Sequence, residues 1–257
     1  TSETLWIDGH RMVCFDRRDG NETFCSDLKG TESLNNVIRD PQLSVLKYIR
    51  NNSSLDENAD NRAFLDLFSF VERMLFFRSL EDRTYIGLQH HDGSLTDYII
   101  NTDKVKDFEA FLNEANIDCR LVVVDVMDSQ ELAFDFGDKK ILFRDIMSTG
   151  TSALMLFYCW YQHIISSEVS FVFIDEFDAF YHHELSRLVV RKLIDSGVQF
   201  VLTTHNTSIM SNDLMRPDCY FLIYKSRLLP LSKCTERELR EAHNIEKIYK
   251  SGAFHVR

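Results

Sequence analysis

Proline is scarce in this sequence, and glycine followed by lysine and closely paired cysteine are absent from it. Only 3 Pro and 9 Gly occur in 257 residues, which excludes collagen-like, Pro-rich and low-complexity chains. The cysteines Cys14, Cys25, Cys119, Cys159, Cys219 and Cys234 stand apart without a C-x-x-C spacing. That excludes a disulfide framework or zinc knuckle as the organising device and fits reduced thiols, several of them in apolar segments. The longest apolar run, Ala153–Tyr161, stops at nine residues, against about 20 for a bilayer span. No basic stretch followed by an apolar one opens the chain, so no signal peptide or membrane contact is expected, and the expected compartment is the cytoplasm. Positive charge is scarce too: 29 Lys and Arg face 40 Asp and Glu, a formal net charge of −11. This disfavours a broad nucleic-acid face, which works by neutralising phosphates, while leaving room for a local basic groove.

What is present builds a core: 44% of residues are hydrophobic and 12% aromatic, enough for a folded α/β domain. Leu5, Ile7, Val13, Phe15 and Phe24 lie among polar positions and predict an antiparallel sheet, with Asp19-Gly20-Asn21 as a hairpin turn. Residues 31–118 read as helical. Phe64, Leu67, Phe68, Val71 and Leu75 follow one helical face, as do Val105, Phe108, Leu112 and Ala115, and the polar stretch Asn51–Asn61 separates helices. The bland reading of this region is packing. Leu121–Val126 reads as a strand, Leu132, Phe134 and Phe136 alternate as another, and Gly137-Asp138 turns the chain into Ile141–Phe143. Thr235-x-x-Glu238 reads as a capping box opening a surface helix over 235–250.

The informative segment begins at Ser148. Ser148-Thr149-Gly150-Thr151 precedes a long apolar helix, Phe171–Ile174 predicts a buried strand ending in Asp175-Glu176, a helix follows over 183–195, and Val198–Thr203 predicts a second strand ending at His205. Strand, helix, strand is a parallel unit, and ligands of such sheets lie beyond the carboxyl ends of the strands. Two carboxylates at a dry sheet rim suit nucleotide hydrolysis: one can hold Mg²⁺, the next can take a proton from water. On a neighbouring strand end, His205 would stand beside them and could donate to a phosphate oxygen. A helix N-terminus with small residues favours an anion. Each motif has a plainer reading, respectively a solvated strand end, a loop histidine and an ordinary N-cap; their order and spacing favour the chemical one. Adjacent His90-His91 and His182-His183 diverge on any regular element and make no metal site alone.

These residues resemble the ABC-type ATPases. Met147-Ser148-Thr149-Gly150-Thr151 looks like the signature motif of L-S-G-G-Q type, the run into Asp175-Glu176 like Walker B, and His205 like the switch histidine. Asp175-Glu176-Phe177-Asp178-Ala179-Phe180-Tyr181-His182 is closest in flavour to RecF/SMC-like, AAA-annotated ATPases of DNA repair and phage defence, and the tail through Arg237–Arg240 and His243–Tyr249 is similar to that group. The resemblance covers about 130–254 and is weak before 120. It implies a P-loop-NTPase-like, partly parallel sheet flanked by helices, with residues 1–30 as antiparallel strands of the head, 31–120 as a helical insertion lobe where partners are expected, and 121–257 as the core. It implies ATP and Mg²⁺ as ligands, Asp175 positioning the metal, Glu176 as general base and His205 sensing the γ-phosphate. Asp178 and His182 would lie in the D-loop between subunits. Ser148, Thr149 and Gly150 would meet a nucleotide held mainly by a second protomer, giving a homodimer or higher oligomer, with DNA or an effector nuclease as candidate partners. Thr149 and Thr151 depart from the usual Gly and Gln.

The P-loop itself, G-x-x-x-x-G-K-[ST], is missing, since no Gly is followed by Lys. An upstream piece, another chain, or a loss of ATP binding are the alternatives; the intact remaining motifs and the Thr1 start favour the first, with little turnover expected from this chain alone. Two rival readings stand beside the ATPase: a non-catalytic, ATP-responsive interaction module, and a metal-dependent nuclease using Asp175, Glu176 and Asp178.

Overall fold

Asp8 and Gly9, both in the left-handed region (φ +49° and +79°), fold the first strand back onto the second, the geometry that two-residue hairpins need. The computed structural model describes residues 2–18, 23–32, 44–78, 84–87, 94–235, 239 and 243–254. It consists of two compact units, Thr1–Glu72 and Arg73–Arg257.

In the first unit, β1 (Ser2–Ile7), β2 (His10–Asp16) and β3 (Thr23–Ser26) form an antiparallel sheet in that order. The expected Asp19-Gly20-Asn21 turn lies outside the described residues. Glu3 reaches α1 (Val45–Asn52) and accepts from Val45 N and Leu46 N at 3.2 and 3.1 Å, satisfying donors that a helix start leaves open. Val13, Phe15, Leu28, Val45, Ile49 and Phe64 close the core, with Phe64 supplied by α2 (Ala59–Glu72). Asn61, 1% exposed, donates to the carbonyls of Lys29 and Asp56, both at 2.8 Å, and ties the 29–30 turn to the loop before α2.

The second unit departs from the helical reading of 31–118. Met74-Leu75-Phe76-Phe77 is β4 (Met74–Arg78), followed by β5 (Thr84–Gly87). Leu75 therefore ends no helical face, and Leu67 and Val71 on α2 are 37% and 48% exposed. A four-residue apolar run reads equally as a buried helical turn or a strand; pairing with a distant strand decides it. Within the region read as helical lie α3 (Leu95–Asn101) and α4 (Val105–Glu114), the latter carrying the expected face of Val105, Phe108 and Leu112, and the next residues form the antiparallel sheet of β6 (Leu121–Val126), β7 (Ser129–Asp135) and β8 (Lys140–Leu142). After the short α5 (Phe143–Ile146) come α6 (Thr149–Ile165), β9 (Phe171–Asp175), α7 (His183–Ser196) and β10 (Gln199–Leu202).

The four-stranded sheet runs β10-β9-β4-β5. β10 and β4 both lie parallel to β9, and β5 is antiparallel to β4. Leu75, Phe77, Val172 and Ile174 enter one core with Leu154, Phe157 and Trp160 of α6 and Val189, Val190 and Leu193 of α7. On the alternate positions Phe76 and Val201 are 37% and 44% exposed. α7 ends on Gly197 at φ +70°, the left-handed cap that lets the chain turn into β10. Tyr158, 2% exposed, donates to Asp107 Oδ2 at 2.5 Å and fastens α6 to α4.

The hairpin of β11 (Phe221–Tyr224) and β12 (Arg227–Pro230) and the short α8 (Ile245–Lys250) complete the chain. Of the expected helix over 235–250, Ile245–Lys250 is helical, opened by Asn244, whose side chain accepts from Lys247 N at 2.8 Å; residues 236–238 and 240–242 lie outside the described residues. All six cysteines are free, and among the described residues no helix is long and apolar enough to cross a membrane.

Candidate functional site

Parallel pairing of β9 and β10 brings the chemically suggestive residues to one sheet rim. The ladder continues past the strand ends: Thr203 N donates to Ile174 O at 3.0 Å and Phe177 N to Thr203 O at 3.1 Å. Beyond Asp175 the chain makes two overlapping turns, closed by Ala179 N to Glu176 O at 3.0 Å and Tyr181 N to Asp178 O at 3.1 Å. Phe177, 3% exposed, anchors these turns in the core. Glu176 occupies the left-handed region at φ +44°, a conformation uncommon for residues other than glycine. Burial pushes the Tyr181 phenol above its ordinary value, so it stays a neutral wall of the turn.

Side chains knit the two strand ends. Thr203 donates its hydroxyl proton to Asp175 Oδ1 at 2.5 Å and accepts from Glu176 N at 2.7 Å. Thr204 donates to Asp178 Oδ1 at 2.6 Å and accepts from Asn206 N at 2.8 Å. Asp178 Oδ2 is buried without a hydrogen-bond partner, a cost normally relieved by a donor. His205 Nε2 lies 3.6 Å from Glu176 Oε1, with the two side chains 92% and 34% exposed. Solvent screens this contact, so it is a placement rather than a source of stability.

At the other end of the turn, Ser148 caps α6: its hydroxyl accepts from Thr151 N at 3.1 Å and bonds Thr151 Oγ1 at 2.8 Å. A Cβ on Gly150 would lie 3.2 Å from Phe180 O, so this helix start abuts the turn that follows the acids. Among the described residues, Ser148, Thr149 and Gly150 make no hydrogen bond with Asp175, Glu176 or His205. The structure thus brings Asp175, Glu176, Asp178 and His205 together, and sets the 148–150 turn against Phe180. Thr203 and Thr204 are the site residues that sequence reasoning passed over. Their only signal in the sequence is position, directly before His205 on a strand beside the two acids; register decides that their hydroxyls meet Asp175 and Asp178.

The donor set fits a magnesium ion, which keeps most of its water and takes one or two carboxylates; the exposed Asp175 carboxylate, steadied by Thr203, offers that. It does not fit the rival nuclease trio of Asp175, Glu176 and Asp178. No group of three His, Cys, Asp or Glu among the described residues could hold a metal ion, because Asp178 turns to Thr204 while Asp175 turns to Thr203. His182 and His183 place their rings 6.3 Å apart at the start of α7, and His90-His91 lies outside the described residues.

A partly parallel α/β sheet with acids and a histidine at its strand ends is the plan of a P-loop-NTPase-like, nucleotide-binding domain. Residues 53–211, more than half of the chain, match the family described as "AAA domain, putative AbiEii toxin, Type IV TA system", and the chain belongs to that family. AAA-type ATPase domains bind ATP with Mg²⁺. No curated protein matches the chain.

Proposed function

We propose that the chain is the signature-to-switch part of an ABC-type, RecF/SMC-like ATPase head that hydrolyses ATP between two associating heads. The observation that carries this reading is the meeting of Glu176 and His205 at 3.6 Å across adjacent parallel strand ends. In it, Glu176 accepts the proton of the attacking water, and His205 donates a hydrogen bond to a γ-phosphate oxygen. Asp175 would hold Mg²⁺, which supplies charge neutralisation on the phosphates. Ser148, Thr149 and Gly150 present a helix N-terminus to the nucleotide of a second copy, and Asp178 lies in the turn facing that copy. The missing phosphate loop would come from outside this sequence. β10 is the outermost described strand of its sheet, with Val201 44% exposed, which leaves an edge beside His205 for a further strand. Head closure would then drive a DNA-handling or defence process, with DNA or an effector nuclease as partner.

The test compares ATP turnover and ATP-dependent association of the natural protein with those of Glu176→Gln. Turnover lower by about 100-fold or more, with association retained in light scattering, is expected. Equal turnover removes Glu176 as base. Association without turnover in both proteins favours the non-catalytic, ATP-responsive module.

A further inference from the structure

The geometry points to Thr203 as the positioning residue of this site: one hydroxyl orients the Asp175 carboxylate and holds the backbone of Glu176 in its left-handed conformation. A hydroxyl has one proton and two lone pairs, and here both kinds of group are committed. The proton goes to Asp175 Oδ1 at 2.5 Å, so a lone pair receives Glu176 N at 2.7 Å. The direction of each bond is fixed, because a carboxylate cannot donate and an amide N–H cannot accept.

The second bond matters because of where Glu176 sits. At φ +44° its backbone is in a region that L side chains with a Cβ enter reluctantly. An uncommon conformation persists only where surroundings over-determine it. Around Glu176 those surroundings are the acceptor on Thr203, the turn closed by Ala179 N at 3.0 Å, and buried Phe177 bonded to Thr203 O at 3.1 Å. Thr203 contributes two of these three, one through its side chain and one through its carbonyl. Only the side-chain bond can be removed by substitution. Without it Glu176 is free to relax, and its carboxylate leaves the position 3.6 Å from His205. Thr203 touches no reacting atom; it acts through Asp175 and Glu176.

This inference rests on the ATPase reading for its kinetic consequence, whereas its structural consequence can be read without nucleotide. Thr203→Val keeps the shape and removes donor and acceptor; Thr203→Ser keeps both. In Thr203→Val, exchange of the Glu176 amide hydrogen should quicken about tenfold, the value of one neutral hydrogen bond. The Val172 amide inside β9 should exchange as in the parent, showing that the sheet is intact. ATP turnover of the natural protein carrying Thr203→Val should fall about 10- to 100-fold with KM for ATP little changed, and Thr203→Ser should stay within about threefold of the parent. Unchanged Glu176 exchange in Thr203→Val overturns the inference, as does a loss of turnover in Thr203→Ser as large as that in Thr203→Val, because Ser keeps the hydroxyl. If Glu176→Gln turns over ATP as the parent does, the ATPase reading fails while the exchange result still decides the structural role of Thr203.

Discussion

Gly150→Ala separates what the start of α6 does for the fold from its proposed role toward a phosphate. Two effects of opposite sign act on stability. Alanine is the better helix former by up to about 1 kcal/mol in a helix interior, and by less in the first turn. Against this, the new Cβ would lie 3.2 Å from Phe180 O and 3.8 Å from Ser148 Oγ, so the turn after the acids must give by a few tenths of an ångström, costing about as much. Net stability should therefore change by less than about 1 kcal/mol, a shift in Tm of no more than about 4 °C for a chain of this size. Activity has no such compensation. Under the proposed function the N–H groups at the start of α6 would serve a phosphate only at close approach, and a methyl group there would displace it by an amount that costs about 100-fold in rate. Phosphate release by the natural protein and thermal melting, measured on the same preparations, give both quantities. Turnover within about twofold of the parent at unchanged Tm would refute the assignment of this helix start to nucleotide.

Three further outcomes follow from burial and backbone geometry. Gly30, at φ +95°, faces Ser54 O at 2.1 Å from where a Cβ would stand, so Gly30→Ala should cost about 3 kcal/mol, at the upper end of backbone strain; an unchanged urea midpoint would contradict this. Burial pushes the Cys159 thiol up to about 12, so at pH 8 a thiol reagent should label exposed Cys25 and Cys219 and spare Cys159 until the protein unfolds. Because the unfolded thiol ionises near pH 8.5, the contribution of Cys159 is constant below that pH. It is lost as pH rises toward 12, by about 1.4 kcal/mol per unit, and Cys159→Ala should flatten the decline of stability between pH 9 and 10. An identical slope in the variant would refute the assignment.

Local chemistry was enough for part of this protein. The cap at Ser148, the strand from Phe171 to Ile174 and the helix from His183 were legible because each depends on neighbours in sequence: an N-cap hydroxyl, an unbroken apolar run, a helical period. From those spans alone His205 was expected beside Asp175 and Glu176, since a strand, a crossover helix and a second strand leave little choice of neighbour.

What tertiary structure decided lies wherever the partner is far along the chain. Met74–Phe77 reads as the tail of a helical face until Leu75 pairs with Val172 and Phe77 with Ile174 in the parallel sheet. Thr203 and Thr204 are ordinary strand-end residues until register puts their hydroxyls on Asp175 and Asp178. The positive φ of Glu176 and the approach of Gly150 to Phe180 leave no mark in composition or period. A repeating pattern records which face of an element is apolar, whereas register and side-chain pairing are set by energies between segments that only the folded chain brings within bonding distance.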